Sequence, residues 1–156
     1  MSPSQPLTPQ FAEQLGVHVN HQRMDNGEYR FRLVADDGSG YVRTVAPGTG
    51  VWQNSHYHKY VVETYIVQSG WVAIVELQND SLTWYLLMPG EILTTRAHVP
   101  HNMYMAGDSV THTVKHGPTT DGSDWHPSPE LDRRTKHVSE NDIYRLAQPS
   151  PTRRPT

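Results

Sequence analysis

The chain has 156 residues, 35% of them hydrophobic and 19% charged, and its 13 basic and 16 acidic side chains give a formal charge of −3. This size and balance fit one globular domain rather than a disordered chain, and the slight acidity and the lack of a long apolar run argue against nucleic acid and membranes as partners. The absence of cysteine excludes disulfides, cysteine-ligated zinc and thiol nucleophiles, so any metal ion needs nitrogen and oxygen ligands.

The N-terminal segment, residues 1–27, is expected to carry one short helix. In "LTPQFAEQLG", Thr8 is a candidate N-cap, Pro9 suits the first helical position, and Gly16 is a stop signal. The opening "MSPSQPLTPQ" has neither the basic start nor the apolar stretch of a signal peptide, so we expect a cytoplasmic protein.

Residues 28–117 alternate short β-rich runs with turn sequences such as "DDGSG", "APGTG" and "QND", which is typical of a sandwich or barrel. No long helix and no internal repeat interrupts this rhythm. We therefore expect an all-β antiparallel barrel, closed or built from two sheets. The predicted strands are 28–35, 41–46, 54–59, 61–68, 71–77, 82–88, 92–96, 101–105 and 109–115.

After the barrel we expect a C-terminal loop and helical segment over residues 118–148. Ser128 followed by Pro129, and Ser139 followed by acidic residues, are typical helix starts. The tail "PSPTRRPT", residues 149–156, is expected to be flexible.

Two histidines mark a candidate metal site. His56 and His58 are two residues apart in a predicted strand, so their side chains point to the same face. Glu63 lies five residues beyond His58, an odd offset that would turn it to the opposite face of a straight strand. A bend within residues 59–62 therefore has to intervene if the three side chains are to converge.

A fourth ligand has to come from another strand, and His101 is the best candidate. Pro100 restricts the backbone conformation just before the strand of His101. Met103 is two residues after His101, so both side chains are expected to point to the inner face of that strand. Three imidazoles and one carboxylate suit one divalent transition metal ion, namely Fe, Mn, Ni or Zn, with about two coordination positions left open.

Residues 50–70 resemble the first motif of the cupin superfamily. That motif reads Gly, five residues, His-x-His, three or four residues, Glu, six residues, Gly. It is matched without a gap by Gly50, His56, His58, Glu63 and Gly70.

The second cupin motif is matched in part. Gly90 and His101 are in register, while Arg96 replaces the proline, His98 the second glycine, and Met105 the asparagine. Histidine tolerates a turn position with positive φ, though less readily than glycine.

The resemblance implies an antiparallel jelly-roll (cupin) β-barrel with short N-terminal and C-terminal helical segments. It implies a metal ion at the base of the barrel cavity and pairing into a homodimer. The implied metal ligands are His56, His58, Glu63 and His101.

Other side chains are candidates for roles around the metal. His98 could act as an acid or base, because histidine titrates near neutrality, and Glu63 could combine catalysis with ligation. The residues that could line a substrate cavity, or else belong to the core, are Trp52, Asn54, Tyr65 and Met103. His112 and His116 are expected to be structural or exposed.

The leading functional hypothesis is a metal-dependent enzyme acting on a small organic molecule. One branch is isomerase, cyclase or lyase chemistry on a carbonyl or enolisable compound, and the other is an Fe(II)-dependent dioxygenase. The competing hypothesis is a non-catalytic module that binds a small molecule.

Overall fold

The structure, a computed structural model, describes residues 6–117 and 124–149. These residues form three helices: α1 (Pro9–Gln14), α2 (Pro129–Thr135) and α3 (Glu140–Leu146). The strands are β1 (Val17–Arg23), β2 (Tyr29–Ala35), β3 (Gly40–Val45), β4 (Val51–Trp52), β5 (His56–Tyr57), β6 (Val62–Ser69), β7 (Val72–Gln78), β8 (Ser81–Leu87), β9 (Ile92–Thr94), β10 (His101–Met105), β11 (Val110–His116), β12 (His126–Pro127) and β13 (Gln148–Pro149).

The strands form two sheets. The first has the order β1-β2-β3-β11-β6-β9, and every neighbouring pair in it is antiparallel. The second has the order β12-β5-β10-β7-β8-β13, with β4 also paired to β10, and its one parallel pair is β13 with β8. Several neighbouring strands are far apart in the chain, such as β3 with β11 and β6 with β11, so the fold depends on long-range pairing.

The main core lies between the two sheets, because alternate residues of facing strands point inward. On β6, Glu63, Tyr65 and Val67 are buried while the residues between them are more exposed. The buried apolar residues of this core are Ala46, Tyr65, Val67, Val72, Ile74, Leu87, Met103 and Met105.

The second sheet is covered on its outer face as well. Ile143 of α3 packs there against Ala73, Leu86 and Tyr104. This explains why five successive residues of β7, starting at Val72, are all buried instead of alternating. The C-terminal helical segment therefore completes the hydrophobic packing of the sheet that carries His56 and His101.

The all-β prediction with short helices at both ends is confirmed, with one correction. Among the described residues no strand pair joins the two sheets, so they are not closed into a barrel. The predicted helix after Thr8 is present, with the Thr8 hydroxyl accepting a hydrogen bond from the backbone N–H of Phe11 at 3.2 Å. The helix starts at Ser128 and Ser139 are also present.

Residues 17–23 form a strand that the sequence analysis missed. Strand β1 lies at the edge of the first sheet and is mostly exposed, so it lacks the apolar alternation that identifies a half-buried strand. Predicted strand 54–59 shortens to His56–Tyr57. The segment boundaries at residues 27, 117 and 148 stay predictions, and residues 118–123 and 150–156 of the predicted loop and tail lie outside the described residues.

None of the helices in the described ranges has the length or the apolar character needed to cross a bilayer.

Candidate metal centre

The four side chains singled out by their spacing meet in the interior. His56, His58, Glu63 and His101 are all buried, and one ligand atom from each lies within 4.8 Å of the others. His56 and His101 are brought together because β5 and β10 pair antiparallel with these two residues opposite each other. Glu63 comes from the other sheet, so the centre bridges both sheets.

A bend turns Glu63 toward the histidines, as the parity of the sequence requires. Strand β5 ends at Tyr57 and β6 begins at Val62, and the residues between them are not in a strand. The carboxylate of Asp124 holds this bend by accepting three backbone hydrogen bonds. The donors are the N–H groups of Lys59, Tyr60 and Val61, at 2.9, 2.7 and 2.8 Å.

The charge of Asp124 is stabilised by these bonds. Burial alone would raise the pKa of its carboxyl group, but the backbone hydrogen bonds from Val61, Lys59 and Tyr60 outweigh burial and lower the pKa to about 2. Asp124 is therefore ionised at neutral pH.

Each imidazole is oriented by a backbone carbonyl. Nδ1 of His56 bonds to the carbonyl of Asn54 at 2.9 Å, and Nδ1 of His101 bonds to that of Val99 at 3.0 Å. Nδ1 of His58 bonds to the carbonyl of Asp124. A carbonyl oxygen only accepts, so each Nδ1 carries the hydrogen and the Nε2 lone pair of the neutral ring faces the centre.

The three Nε2 atoms face Glu63. They lie 3.4 Å (His56), 3.4 Å (His58) and 3.2 Å (His101) from its carboxylate oxygens. Burial lowers the pKa of His56 more than its bond to Glu63 raises it, which favours the neutral ring that a metal ion binds.

The strongest sign of a missing partner is Nε2 of His58. This buried nitrogen has no hydrogen-bond partner within the described part of the chain. Buried polar atoms are almost always paired, so an orphaned lone pair facing a carboxylate and two further imidazoles fits a metal ion. The residues present therefore fit a divalent transition metal.

Lys115 and Tyr65 complete the surroundings of Glu63. Nζ of Lys115 lies 2.7 Å from Oε1, and the Tyr65 hydroxyl donates to Oε2 at 2.5 Å. Burial would raise the pKa of Glu63, but the nearby Lys115 ammonium is the largest of the influences that oppose burial, and the pKa is held well below its ordinary value. Burial and the Glu63 charge raise the pKa of Tyr65 well above its usual range, so its phenol stays protonated.

Helix α2 braces the two histidine strands from outside. Oδ1 of Asp132 accepts hydrogen bonds from the backbone N–H and the hydroxyl of Ser55, at 2.9 and 2.8 Å. The amide of Asn102 donates to the Thr135 hydroxyl at 3.3 Å. Ser55 precedes His56 and Asn102 follows His101, so these bonds fix the backbone beside two ligands.

A cavity of about 200 Å³ opens above the ligands, and a wider outer cavity of about 720 Å³ continues it. The residues shared by both are Arg30, Gln53, His56 and Trp125. Trp125 stacks on His56 with ring centroids 5.5 Å apart. The other residues lining the inner cavity are Arg32, Val42, Thr44, Glu63, Tyr65, Thr113 and Lys115.

The predicted substrate-binding residues are distributed unequally. Tyr65 lines the inner cavity, and Trp52 and Asn54 line the outer one. Trp52 also packs against aromatic rings on the outer face of the second sheet. Met103 lies in the core between the sheets and is not among the residues that line these two cavities. The substrate-binding roles of these residues stay predictions.

His98 takes the turn position that its place in the motif indicates. Its φ is +62°, and its backbone N–H donates to the carbonyl of His58 at 2.6 Å. Its side chain is exposed and does not line either of the described cavities. The acid-base role of His98 stays a prediction.

The second departure from the motif, Arg96, has a structural partner. Its guanidinium lies 2.6 Å from the carboxylate of Glu76, which is buried next to the strand that carries His101. The Glu76 bond raises the pKa of Arg96. Arg96 therefore compensates a buried charge instead of lining the described cavities.

The two glycines of the complete motif are required by close approach. A Cβ on Gly50 would lie 1.7 Å from the Tyr104 hydroxyl oxygen. Gly70 has φ +72°, and a Cβ there would lie 2.6 Å from Cβ of Ser109. Both positions exclude a side chain for steric reasons.

Several residues around the centre were missed by the sequence analysis. Lys115 had a usable signal, because in "THTVKHG" it shares parity with the inward Thr113 and opposes His112 and His116. The others gave no local signal, because they approach the centre from other parts of the chain. They are Arg30, Arg32, Asp124 and Trp125.

Comparisons with known proteins identify the fold. No protein-family model matches the chain, and none of the curated proteins matches it. A mutant of the Bacillus subtilis oxalate decarboxylase OxdC is similar with TM-score 0.58 and 12% identity, over 82% of this chain and 37% of that chain. The capsular polysaccharide assembling protein CapF of Staphylococcus aureus has TM-score 0.56 and 19% identity, over 69% of this chain and 32% of that chain.

A third similar structure is Drosophila melanogaster CENP-C bound to CAL1, with TM-score 0.52 and 15% identity, over 63% of this chain and 80% of that chain. The chain corresponds to well under half of the oxalate decarboxylase and CapF chains. At these identities the likeness shows the fold alone. Together with the buried group of three histidines and a glutamate, it confirms the cupin fold that the motifs indicate.

Proposed function

We propose that this chain is a metal-dependent cupin enzyme that acts on a small organic substrate. The proposed chemistry is of the isomerase, cyclase or lyase type, at a carbonyl or enolisable carbon. The observation that carries the proposal is the group of four ligand atoms within 4.8 Å, one of them the unpaired Nε2 of His58, below an accessible cavity.

The proposed cofactor is one divalent transition metal ion, Fe, Mn, Ni or Zn, held by His56, His58, Glu63 and His101. When bound, such an ion supplies Lewis acidity that polarises a carbonyl or stabilises an enolate. The chain's own residues position the ligands: the backbone carbonyls fix the imidazoles, and the Tyr65 hydroxyl and Lys115 hold the carboxylate.

Non-redox chemistry needs a group that carries a proton at the cavity. Lys115 and Tyr65 both line the inner cavity and carry protons on Nζ and on the phenol oxygen. We propose that Lys115 exchanges a proton with the substrate while the neutral Tyr65 phenol donates a hydrogen bond. His98 is the competing candidate from the sequence, and its side chain is exposed.

The likeness to oxalate decarboxylase, named for cleavage of carbon dioxide from oxalate, supports the lyase form of this proposal. The alternative is an Fe(II)-dependent dioxygenase, because the same ligand set accepts iron. Metal analysis of protein purified from its native host, followed by oxygen-consumption assays with candidate enols, separates the two. Tight iron with substrate-dependent oxygen uptake would exclude the non-redox form.

A second class of function is a non-catalytic binding module. The structure of CENP-C bound to CAL1 shows a protein with this fold in a complex with another protein. The variants His56→Ala and His101→Ala distinguish the classes, with His18→Ala as the control because His18 is exposed, lies on the edge strand β1 and pairs with Asp36. The enzyme hypothesis is supported if the two ligand variants lose both metal and biological activity while the control variant keeps both. The binding-module hypothesis is supported if the two ligand variants lose the metal and keep full biological activity.

Three further expectations from the sequence remain proposals: a homodimer, a cytoplasmic location, and no nucleic-acid or membrane partner. Gel filtration with light scattering tests the first, because a dimer elutes with twice the mass of the chain.

A further inference from the structure

The inner cavity is lined by three cationic side chains. Arg30 and Arg32 lie two residues apart on β2, and Lys115 lies on β11, so all three project from the first sheet. Cationic side chains are rarely gathered in a cavity unless carboxylates or an anionic ligand compensate them. A cationic side chain of the cavity that has no carboxylate partner in the protein therefore indicates the kind of ligand that the cavity binds.

Two of the three charges have carboxylate partners within the protein. Arg30 donates to Oε2 of the fully buried Glu28 from Nε at 3.0 Å and from Nη2 at 2.7 Å. Gln53 donates to the other oxygen of Glu28 at 3.0 Å, so that carboxylate is occupied on both sides. Lys115 pairs with Glu63.

Arg32 has neutral partners in place of a carboxylate. Its guanidinium donates to Oε1 of Gln22 at 3.1 Å and to Sδ of Met24 at 3.4 Å. Within residues 6–117 and 124–149 no carboxylate lies within ion-pair distance of it, although the side chain is half-buried. Burial and the neighbouring Arg30 lower the pKa of Arg32, and the charge of Glu28, which is already paired with Arg30, offsets this lowering only in part.

We infer that the cavity binds a small organic carboxylate and that Arg32 is the side chain that holds its anionic group. Three cations against the two carboxylates of Glu28 and Glu63 leave a net positive cavity, and a divalent ion at the ligands makes it more positive. The planar guanidinium matches a carboxylate through paired N–H donors. A volume of about 200 Å³ corresponds to roughly seven waters at about 30 Å³ each, which limits the ligand's inner part to a small molecule.

The inference rests on the proposed function, since it places the anionic group on Arg32 and the reacting part of the same molecule at the metal ligands. Anion binding itself does not require the metal, because the anionic group is assigned to Arg32, which bonds to Gln22 and Met24 and is not one of the four metal ligands. The two ideas are therefore tested separately by measuring metal content and anion binding on the same samples.

The experiment is isothermal titration calorimetry of the full chain, metal-free and Zn²⁺-loaded, with malonate and with its uncharged analogue malonamide. The test variant is Arg32→Gln, and the matched control is Arg23→Gln, because Arg23 is exposed and stacks on Tyr29. Arg32→Lys keeps the charge but loses the paired N–H donors, so it is expected to bind malonate more weakly than the unaltered chain and more tightly than Arg32→Gln. Thermal unfolding checks that each variant is folded.

We expect malonate to bind the unaltered chain and Arg23→Gln alike, and Arg32→Gln about 10- to 100-fold more weakly, the range for a lost charge-assisted hydrogen bond. Malonamide is expected not to bind. The inference would be overturned if Arg32→Gln and Arg23→Gln bound malonate with equal affinity. It would also be overturned if the unaltered chain bound malonamide as tightly as malonate, and this second comparison does not depend on the folding of any variant.

Inorganic phosphate is the third probe. Tighter binding of phosphate than of malonate, with the same dependence on Arg32, would overturn the assignment to a carboxylate. If Zn²⁺ fails to bind but malonate binding still depends on Arg32, the proposed function fails and the anion site stands. If Zn²⁺ binds and Arg32 has no effect, the metal centre stands and the inference fails.

Discussion

The backbone carbonyl of Asp124 accepts the Nδ1–H of His58, a residue 66 positions earlier in the chain. The carboxylate of the same residue accepts the N–H groups of the bend that turns Glu63 inward. One residue outside both motifs thus orients one ligand and holds the backbone that positions another.

The first prediction concerns Asp124→Asn. An amide oxygen is a weaker acceptor than a carboxylate and its NH₂ group faces backbone donors, so we expect the free energy of unfolding to fall by roughly 1.5–3 kcal/mol. Affinity for the metal is expected to fall about 10- to 100-fold, the usual effect of losing a group that supports a ligand. Urea unfolding and Zn²⁺ titration measure the two effects.

The control for this prediction is Asp37→Asn. Asp37 is exposed and its carboxylate bonds to Ser39 in a surface turn, so the same substitution should change stability by less than about 0.5 kcal/mol. Equal effects of the two substitutions would show that the bend does not depend on Asp124.

The second prediction concerns metal addition. A metal ion that binds the folded chain raises its stability by about 2.7 kcal/mol when the free ion is at 100 times its dissociation constant. We expect Zn²⁺ or Mn²⁺ to raise the melting temperature and a chelator to reverse the rise. His101→Ala should abolish the shift, and Mg²⁺ should give none, because Mg²⁺ prefers oxygen ligands. A shift with Mg²⁺ as large as with Zn²⁺ would argue against the imidazole centre.

The third prediction is that Lys115→Met has opposite effects on stability and on metal affinity. Without metal, Lys115 is the cation paired with the buried Glu63, so its loss should cost about 3 kcal/mol of stability. Metal affinity should rise, because a positive charge next to the binding site is removed. Lys59→Met is the control, since the Lys59 side chain is exposed. A fall in metal affinity in Lys115→Met would mean that Lys115 supports the site in another way.

The fourth prediction concerns the first glycine of the complete motif. Gly50→Ala places a methyl group against the Tyr104 hydroxyl, which is held by Glu140 at 2.5 Å, and should destabilise the chain by about 1–3 kcal/mol. Tyr104→Phe removes the clashing oxygen, so the double variant should recover part of the loss, with a coupling of at least about 0.5 kcal/mol.

Gly48→Ala is the matched control for the glycine prediction. A Cβ at Gly48 meets only Asp108 oxygens, at 3.9 and 4.0 Å, so its substitution should be nearly neutral. Additive effects of Gly50→Ala and Tyr104→Phe in chemical denaturation would contradict the proposed clash.

The sequence predicted the ligand group and the bend because both leave a local signal. The two histidines are two residues apart and share a strand face, whereas Glu63 is an odd number of residues away and would face the other side of a straight strand. The three side chains can therefore meet only if the backbone bends, and the structure has a bend between Tyr57 and Val62. Arg32 and Asp124 left no such signal. Their approach to the centre depends on which strands pair and on how the C-terminal segment folds back, which is set by long-range packing.

Edge position explains the missed strand β1, and for a related reason the sequence did not decide between a closed barrel and one built from two sheets. Alternating apolar residues identify the faces of strands that pack against a core, but they do not specify which edges pair. Val17 and Val19 are the apolar residues of β1, too few to mark a strand against its polar neighbours. Pairing at the edges therefore had to be read from the structure.

The carbonyl groups that orient the three imidazoles belong to the main chain at Asn54, Val99 and Asp124. Every amino acid carries this group, so replacing the side chain at position 54 or 99 keeps the acceptor that sets the tautomer of its histidine. A one-residue insertion or deletion next to a ligand, in contrast, moves the acceptor away from its ring. The centre should therefore tolerate substitution at those two neighbouring positions during divergence while rejecting changes in loop length there.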